Sequence, residues 1–398
     1  MPGPLAGVRV LELATVVLGP LACQLLGDQG ADVVKVEPPG GDSNRQVGPM
    51  RSPGMGALFL NCNRNKRGIV LDLKHAEGRE AALRLAARAD VLVHNYRPSA
   101  LSRLRLAYED VSAVNPGIVY CGTYGYGRSG PYRDRPAYDD SIQAAAGLAS
   151  LSARGGGEPR FVPTIVADKT TALAVVAAVN AALFHRARTG EGQEIEVPMF
   201  ETMVSYVMTE HLWGRTFEPA EGPAGYARLL SRERRPLPTR DGHLSVLPYL
   251  DEHWRAFCRA AGREDLLDDR RFTSLASRLS NIDALYLTLA GEIAQRSTSD
   301  WSEVLERAGV PATPVRTLEE LFDDPHLVAT GFFESHRHPT DGPMRVPAPA
   351  TRFSRTPADV RRLAPRLGEH TREVLREAGY AEAEVDALCA AGAARSLS

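Results

Sequence analysis

Val8–Glu37 reads VRVLELATVVLGPLACQLLGDQGADVVKVE, and its rhythm decides the fold class. Val8–Leu13 is apolar and of strand length, so it reads as a buried β-strand. From Pro20 the residues Leu21, Ala22, Leu25 and Leu26 fall on one helical face. Gly30 supplies the helix stop, and Ala31–Val36 is the next strand. A strand, a helix and a second strand in this order form a βαβ unit. Such units build parallel sheets covered by helices.

Outward from that unit the alternation continues. Strands are predicted at Ile69–Leu73, Val91–Val93, Ile118–Cys121 and Glu194–Val197, with helices at Ala76–Arg88, around Asp139–Ala149 and after Asp168. The fold class is therefore α/β, with a mostly parallel sheet. After about residue 213 the texture changes. Glu218–Tyr226 is rich in Pro and Gly and reads as a linker. Pro236–Leu250 resembles a strand-turn-strand with Asp241-Gly242 at the turn, and short helices follow. We expect a large domain over residues 1–215, completed by 330–398 packing back, and a smaller α+β domain over 225–320. Gly155-Gly156-Gly157 reads as a surface loop.

Hydrophobic residues at 43% and charged residues at 24% give the balance of a soluble globular chain. A net charge of -2 argues against a nucleic-acid partner, since phosphate backbones select a basic excess. The apolar run Thr171–Phe184 falls short of the roughly 20 residues a membrane span requires, and the N-terminus does not read as a signal peptide. Cys23, Cys62, Cys121, Cys258 and Cys389 show no CxxC spacing and leave one over if paired, which predicts a reduced, cytoplasmic protein without a metal site.

Several residues are candidates for chemistry. Glu37 lies where a ribose-binding acid would follow a dinucleotide turn, but that turn, Thr15–Pro20, lacks the glycine fingerprint. Arg64, Lys66 and Arg67 cluster before one strand, Lys74 follows it, and Asn95, Tyr96, Arg97 and Arg103 follow the next. Loops after the carboxyl ends of strands line the ligand crevice in open α/β sheets, and guanidinium groups suit phosphate oxygens. Two such basic loops after neighbouring strands point to an anionic ligand. Asp168 precedes a long helical stretch. Asp is a preferred N-cap, and a helix N-terminus also keeps a carboxylate ionised, as a nucleophile must be. Nearby N–H groups would then serve an oxyanion.

These segments, taken in order, resemble the family III CoA-transferases, with methylacyl-CoA racemase as a relative. The resemblance runs through VLELATVVLGPLACQLLGDQGADVVKVEPPGGD, NRNKRGIVLDLK, HNYRPSALSRL, NPGIVYCGTYGYGRSGPY and YDDSIQAAAGL. It continues in RTGEGQEIEVPMFE, AGVPATPVRTLEELFDDPH and GEHTREVL, covering nearly the whole chain. It implies a Rossmann-like large domain and an interlocked homodimer with its active site between domains of different subunits. It implies Asp168 as the catalytic nucleophile, with coenzyme A as substrate and no permanent cofactor. The CoA crevice would involve Val16, Val17, Lys74, Asn95, Tyr96 and Arg103, with the NRNKR loop and Arg97 nearby.

Departures from the family narrow the chemistry. Tyr138, before Asp139, replaces the racemase branch's histidine, and Leu247-Pro248-Tyr249 replaces its second acid, so two-sided proton exchange lacks an acid/base pair. Val17 replaces a glutamine of the formyl-CoA enzyme, which argues against oxalate as acceptor. His94 stands where an acid is usual. Tyr138 and Asp139 are expected to line the substrate pocket. Arg228, Arg232, Arg234 and Arg235 crowd one segment, where one of the four would clamp the far carboxylate of a dicarboxylic acid, and Arg228 is expected in the substrate pocket. The alternatives are an acyl-CoA racemase, an intramolecular CoA-transferring isomerase, and a silent CoA-binding dimer.

Overall fold

A computed structural model describes residues 3–153 and 157–397. Its main sheet is built from β1 (Arg9–Leu13), β2 (Asp32–Glu37), β3 (Lys66–Leu71), β4 (Val91–His94), β5 (Val119–Tyr124), β6 (Gln193–Pro198) and the terminal β12 (Ala394–Arg395). The order is β12-β3-β2-β1-β4-β5-β6. Pairing is parallel, with Leu11 opposite both Val34 and Leu92, except that β12 runs antiparallel to β3. β1, β3, β4 and β5 are buried almost end to end, as strands covered on both faces must be. Leu11, Ile69, Leu71, Leu92 and Tyr120 pack on one side with Ala81 and Ala82 of the Ala76–Ala86 helix and Val374 and Leu375 of the Thr371–Glu377 helix.

The chain divides into two compact units. The first comprises Met1–Ala146, Pro163–Val204 and His326–Ser398, and holds the seven-stranded sheet and the hairpin of β10 (Phe333–His338) and β11 (Gly342–Pro347). The second comprises Gly147–Val162 and Ser205–Pro325. It contains a three-stranded antiparallel sheet of β7 (Leu237–Pro238), β8 (His243–Val246) and β9 (Ala312–Pro314). Trp254, Phe257, Phe272, Leu289 and Trp301 form its core. The helix expected over Asp139–Ala149 is two helices, Asp139–Ala145 and Leu148–Leu151. Gly147 between them adopts φ 83°, a left-handed turn that costs glycine little. Gly155 and Gly156, expected in a surface loop, lie outside the described residues.

The Val166–Thr189 helix is long and apolar enough to cross a membrane by length and composition. Its Ala167, Val175, Val179 and Ala182 are nevertheless buried, and it packs on the Leu18–Asp28 helix and on β5 and β6. One side of it is thus packed within the fold, while Leu173 and Phe184 are exposed.

Candidate active site

The strand order reverses direction between β1 and β4, so the loops leaving those two strands flank the topological switch point. The loop after β1 is tied to the loop after β4 by one side chain. Asn95 Nδ2 donates to the Thr15 carbonyl at 2.8 Å, and Asn95 Oδ1 accepts from the Thr15 N–H at 3.1 Å. Val16 follows with φ 72°, and Val17 is the N-cap of the Leu18–Asp28 helix, with no side chain capping it. Tyr96 is half-buried against the main core. Glu37, at the end of β2, is fully enclosed and paired with Arg45 at 2.6 Å, so it offers nothing to a ribose.

The basic residues separate into two sets. Arg64 donates to Asp28, Lys66 lies 2.7 Å from Glu12, and Arg67 pairs with Asp32, Glu373 and Glu377. Lys66 is wholly buried and also donates to the Pro20 carbonyl and to Asn63 Oδ1. The NRNKR segment enters β3 at its amino end, away from the carboxyl ends where the crevice forms. The expectation that Arg64, Lys66 and Arg67 hold phosphates is therefore corrected: carboxylates within the fold already occupy them. Lys74, Arg97 and Arg103 are exposed, and among the described residues none has a carboxylate partner. Lys74 lies just beyond β3, while Arg97 and Arg103 lie beyond β4. β3 and β4 are not neighbours, contrary to expectation. β2 and β1 intervene, a span of roughly 14 Å at about 4.8 Å per strand. A ligand touching both loops must be long.

Asp168 is not the N-cap of its helix. Ile165 holds that position, and Asp168 lies in the first turn, 9% exposed. The cap comes from Asp139. Its Oδ1 accepts the N–H groups of Ala167 at 2.7 Å and Asp168 at 3.0 Å. Its Oδ2 accepts from Gln143 Nε2 at 2.6 Å, one helical turn along. Asp139 is 8% exposed, so a second carboxylate is enclosed beside the first. Two expectations fail as a result. The Ala167 and Asp168 N–H groups, which would otherwise favour an Asp168 anion or bind an oxyanion, already serve Asp139. Burial first, and the Asp139 charge second, push the Asp168 carboxyl from 3.8 up to about 7. A carboxylate freed of hydrogen-bonding solvent is a stronger nucleophile, provided the pH is high enough to ionise it.

Other candidates divide clearly. The Tyr138 ring is exposed beside Asp139, while its N–H donates to Ser141 Oγ. His94 is fully buried against Tyr120 and Tyr124, and burial, with Arg128 adding to it, lowers its pKa to about 3. It stays neutral and fills the core. In the second unit, Arg228 donates to the hydroxyls of Tyr226 and Tyr286 and lies over the rings of Tyr226 and Tyr249. It is half-buried and has no carboxylate partner among the described residues. Arg235 pairs with Glu233. Among the described residues no cluster of His, Cys, Asp or Glu could hold a metal ion.

A buried aspartate at a helix start and exposed cations at a switch point suit an acyl-transfer site for a long anionic substrate. The sequence profile of CoA-transferase family III matches residues 5–371. The chain belongs to CoA-transferase family III. It is 33% identical over 394 residues to the succinyl-CoA:glutarate CoA-transferase of Mus musculus, covering 98% of this chain and 90% of that one. It is 34% identical to the succinyl-CoA:mesaconate CoA-transferase of Haloarcula hispanica, covering 95% and 97%. The crystal structure of a CAIB/BAIF family protein from Brucella suis superposes with a TM-score of 0.79 at 33% identity, covering 95% of this chain and 100% of that one. This family III transferase moves coenzyme A between an acyl-CoA thioester and a free carboxylic acid, and CoA thioesters are its substrates. The sequence reading missed the Asp139–Gln143 pair as the device that caps the Asp168 helix. Its signal was present, an acid and an amide four residues apart.

Proposed function

We propose that this transferase moves CoA to and from a dicarboxylic acid, with Asp168 as the covalent nucleophile. The single observation that carries this reading is the enclosed Asp168 carboxylate, next to Asp139 and outside any hydrogen bond to its side chain among the described residues. Its oxygen attacks the thioester carbonyl, the C–S bond breaks, and CoA thiolate leaves a mixed aspartyl anhydride. The thiolate then attacks the aspartyl carbonyl, expelling the first acid and leaving an aspartyl-CoA thioester. The acceptor carboxylate attacks that thioester and regenerates an anhydride and thiolate. Attack of the thiolate on the acceptor acyl carbon releases the new acyl-CoA and restores Asp168. Each intermediate is an activated acyl group, so no ATP is consumed.

Lys74, Arg97 and Arg103 hold the phosphates of CoA, and Val16, Val17, Asn95 and Tyr96 shape the crevice. What supports this is their position at carboxyl ends of strands and the lack, among the described residues, of a carboxylate on any of the three cations. Tyr138 and Asp139 border the reacting carboxylate. Arg228 binds a carboxylate of the dicarboxylic substrate; its guanidinium is ringed by neutral tyrosines, with no carboxylate partner among the described residues. The relatives named for glutarate and mesaconate transfer agree with such a substrate. Leu173 and Phe184 on the Val166–Thr189 helix are 62% and 65% exposed, which supports a homodimer of interlocked chains in which a second copy covers them. The five cysteines are all free, in keeping with a cytoplasmic enzyme.

The test is to incubate the protein with succinyl-CoA and a panel of mono- and dicarboxylic acids, then detect new CoA esters by mass spectrometry. New esters of dicarboxylic acids support the reading, and their selective loss in Arg228→Gln supports the clamp. Deuterium exchange at the α-carbon without ester exchange would sink it in favour of a racemase.

A further inference from the structure

Val16 is a β-branched residue with φ 72°, in the left-handed region that such side chains rarely enter. Something must hold it there, and the surrounding bonds identify what. The Val16 N–H donates to Asp42 Oδ1 at 3.2 Å, and the Val16 carbonyl accepts from Asn44 Nδ2 at 2.5 Å. Asp42 and Asn44 are 1% and 4% exposed. They are themselves locked: Asp42 Oδ1 accepts from the Asn44 N–H at 3.0 Å, and Asp42 Oδ2 lies 3.0 Å from Lys35 Nζ. The Asp42 N–H donates to Glu37, and Lys35 reaches back to the Ala14 carbonyl at 2.8 Å. With Asn95 on Thr15, the polar backbone groups of Thr15 and Val16 are all bound by side chains from elsewhere in the chain.

Strain at the switch point, maintained by a dedicated buried network, is the pattern of a preorganised binding loop. We propose that Asp42 and Asn44 are positioning residues that hold Val16 in its left-handed conformation, and that this conformation sets the shape of the CoA crevice. The inference rests on the reading that CoA lies against Val16 and Val17. Neither Asp42 nor Asn44 needs to touch the ligand. They act through the backbone of Val16, and glycine at that position would adopt the same conformation without help.

That last point gives the test. Coenzyme A binding is measured by titration calorimetry on the wild-type protein and on Asn44→Ala, Val16→Gly and the double variant. Asn44→Ala should weaken binding about tenfold, or about 1.4 kcal/mol. The double variant should return to within about threefold of Val16→Gly alone, because glycine removes the conformational cost. Val16→Thr, still β-branched, should give no rescue. If Asn44→Ala does not fold, Asn44→Asp removes the same donor at the same size and replaces it. Full affinity in the Asn44 variants, or no rescue by glycine, overturns the proposal. Lys74→Ala and Arg103→Ala separate this from the underlying reading. If they too keep full affinity, the crevice itself is misassigned and the proposal falls with it. If they weaken binding while the Asn44 variants do not, only the positioning role fails.

Discussion

Lys66 and Lys74 stand at opposite ends of β3, and the fold gives them opposite fates. Lys66 opens the strand and is sealed against Glu12, the Pro20 carbonyl and Asn63. Lys74 follows the strand, is exposed, and has no carboxylate partner among the described residues. A six-residue strand spans about 20 Å, enough to separate the two edges of the sheet. A parallel sheet collects its ligand site at the carboxyl edge. Charge alone therefore does not mark a phosphate site. A cation at the amino end of a buried strand holds strands together, and one at the carboxyl end remains free for a ligand.

The largest effect should come from breaking the buried set. Glu12 is also paired with Lys35 at 3.0 Å, so Lys66→Met leaves it with one of its two counter-charges and should cost about 3–5 kcal/mol in urea unfolding. A loss under about 1 kcal/mol would remove the distinction between the two lysines. Asp168→Asn should act in the other direction. Its carboxyl is raised from 3.8 to about 7 in the folded state, so the native protein holds a proton more tightly than the unfolded chain. The anion thus costs stability above pH 7 and nothing below about pH 4. Asp168→Asn should gain on the order of 1–3 kcal/mol at pH 8 and lose that gain as the pH falls toward 4. Equal gains at both pH values would contradict the raised pKa.

The exposed set should report on the ligand instead. Lys74→Ala and Arg103→Ala should each weaken CoA binding about tenfold, the range of a charge-assisted bond, and shift stability by less than about 0.5 kcal/mol. A melting temperature that falls with affinity would assign them to the fold. Smallest of all, raising salt from about 50 to 500 mM should weaken CoA binding severalfold while the buried pairs, screened far less, leave the melting temperature nearly unchanged.

Much of this was legible in the sequence. Val8–Glu37 specified the βαβ unit because strand-length, mostly apolar runs flank an apolar helix, a local signal. The helix itself is buried nearly all round rather than on the one face expected, with Leu21 and Leu25 its less buried residues. Asp168 was legible as a helix-start acid. Its environment was not, because Asp139 comes from another helix and takes the N–H groups that a lone cap would use. The partners of Arg64 and Arg67 were equally hidden. Asp28 lies 36 residues away from Arg64, and Glu377 lies 310 away from Arg67. The same holds for the strand order: β3 and β4 are consecutive in the chain, and only the crossover separates them in the sheet.

The nucleophile is the centre of the account, and one measurement addresses it directly. The wild-type protein is mixed with succinyl-CoA at pH 8, quenched in acid, digested, and examined by tandem mass spectrometry. The account predicts a CoA thioester on the peptide carrying Asp168, its adduct removed by hydroxylamine and absent from Asp168→Ala. An Asp168→Ala protein that still exchanges CoA at the wild-type rate, or an adduct on another residue, would contradict it.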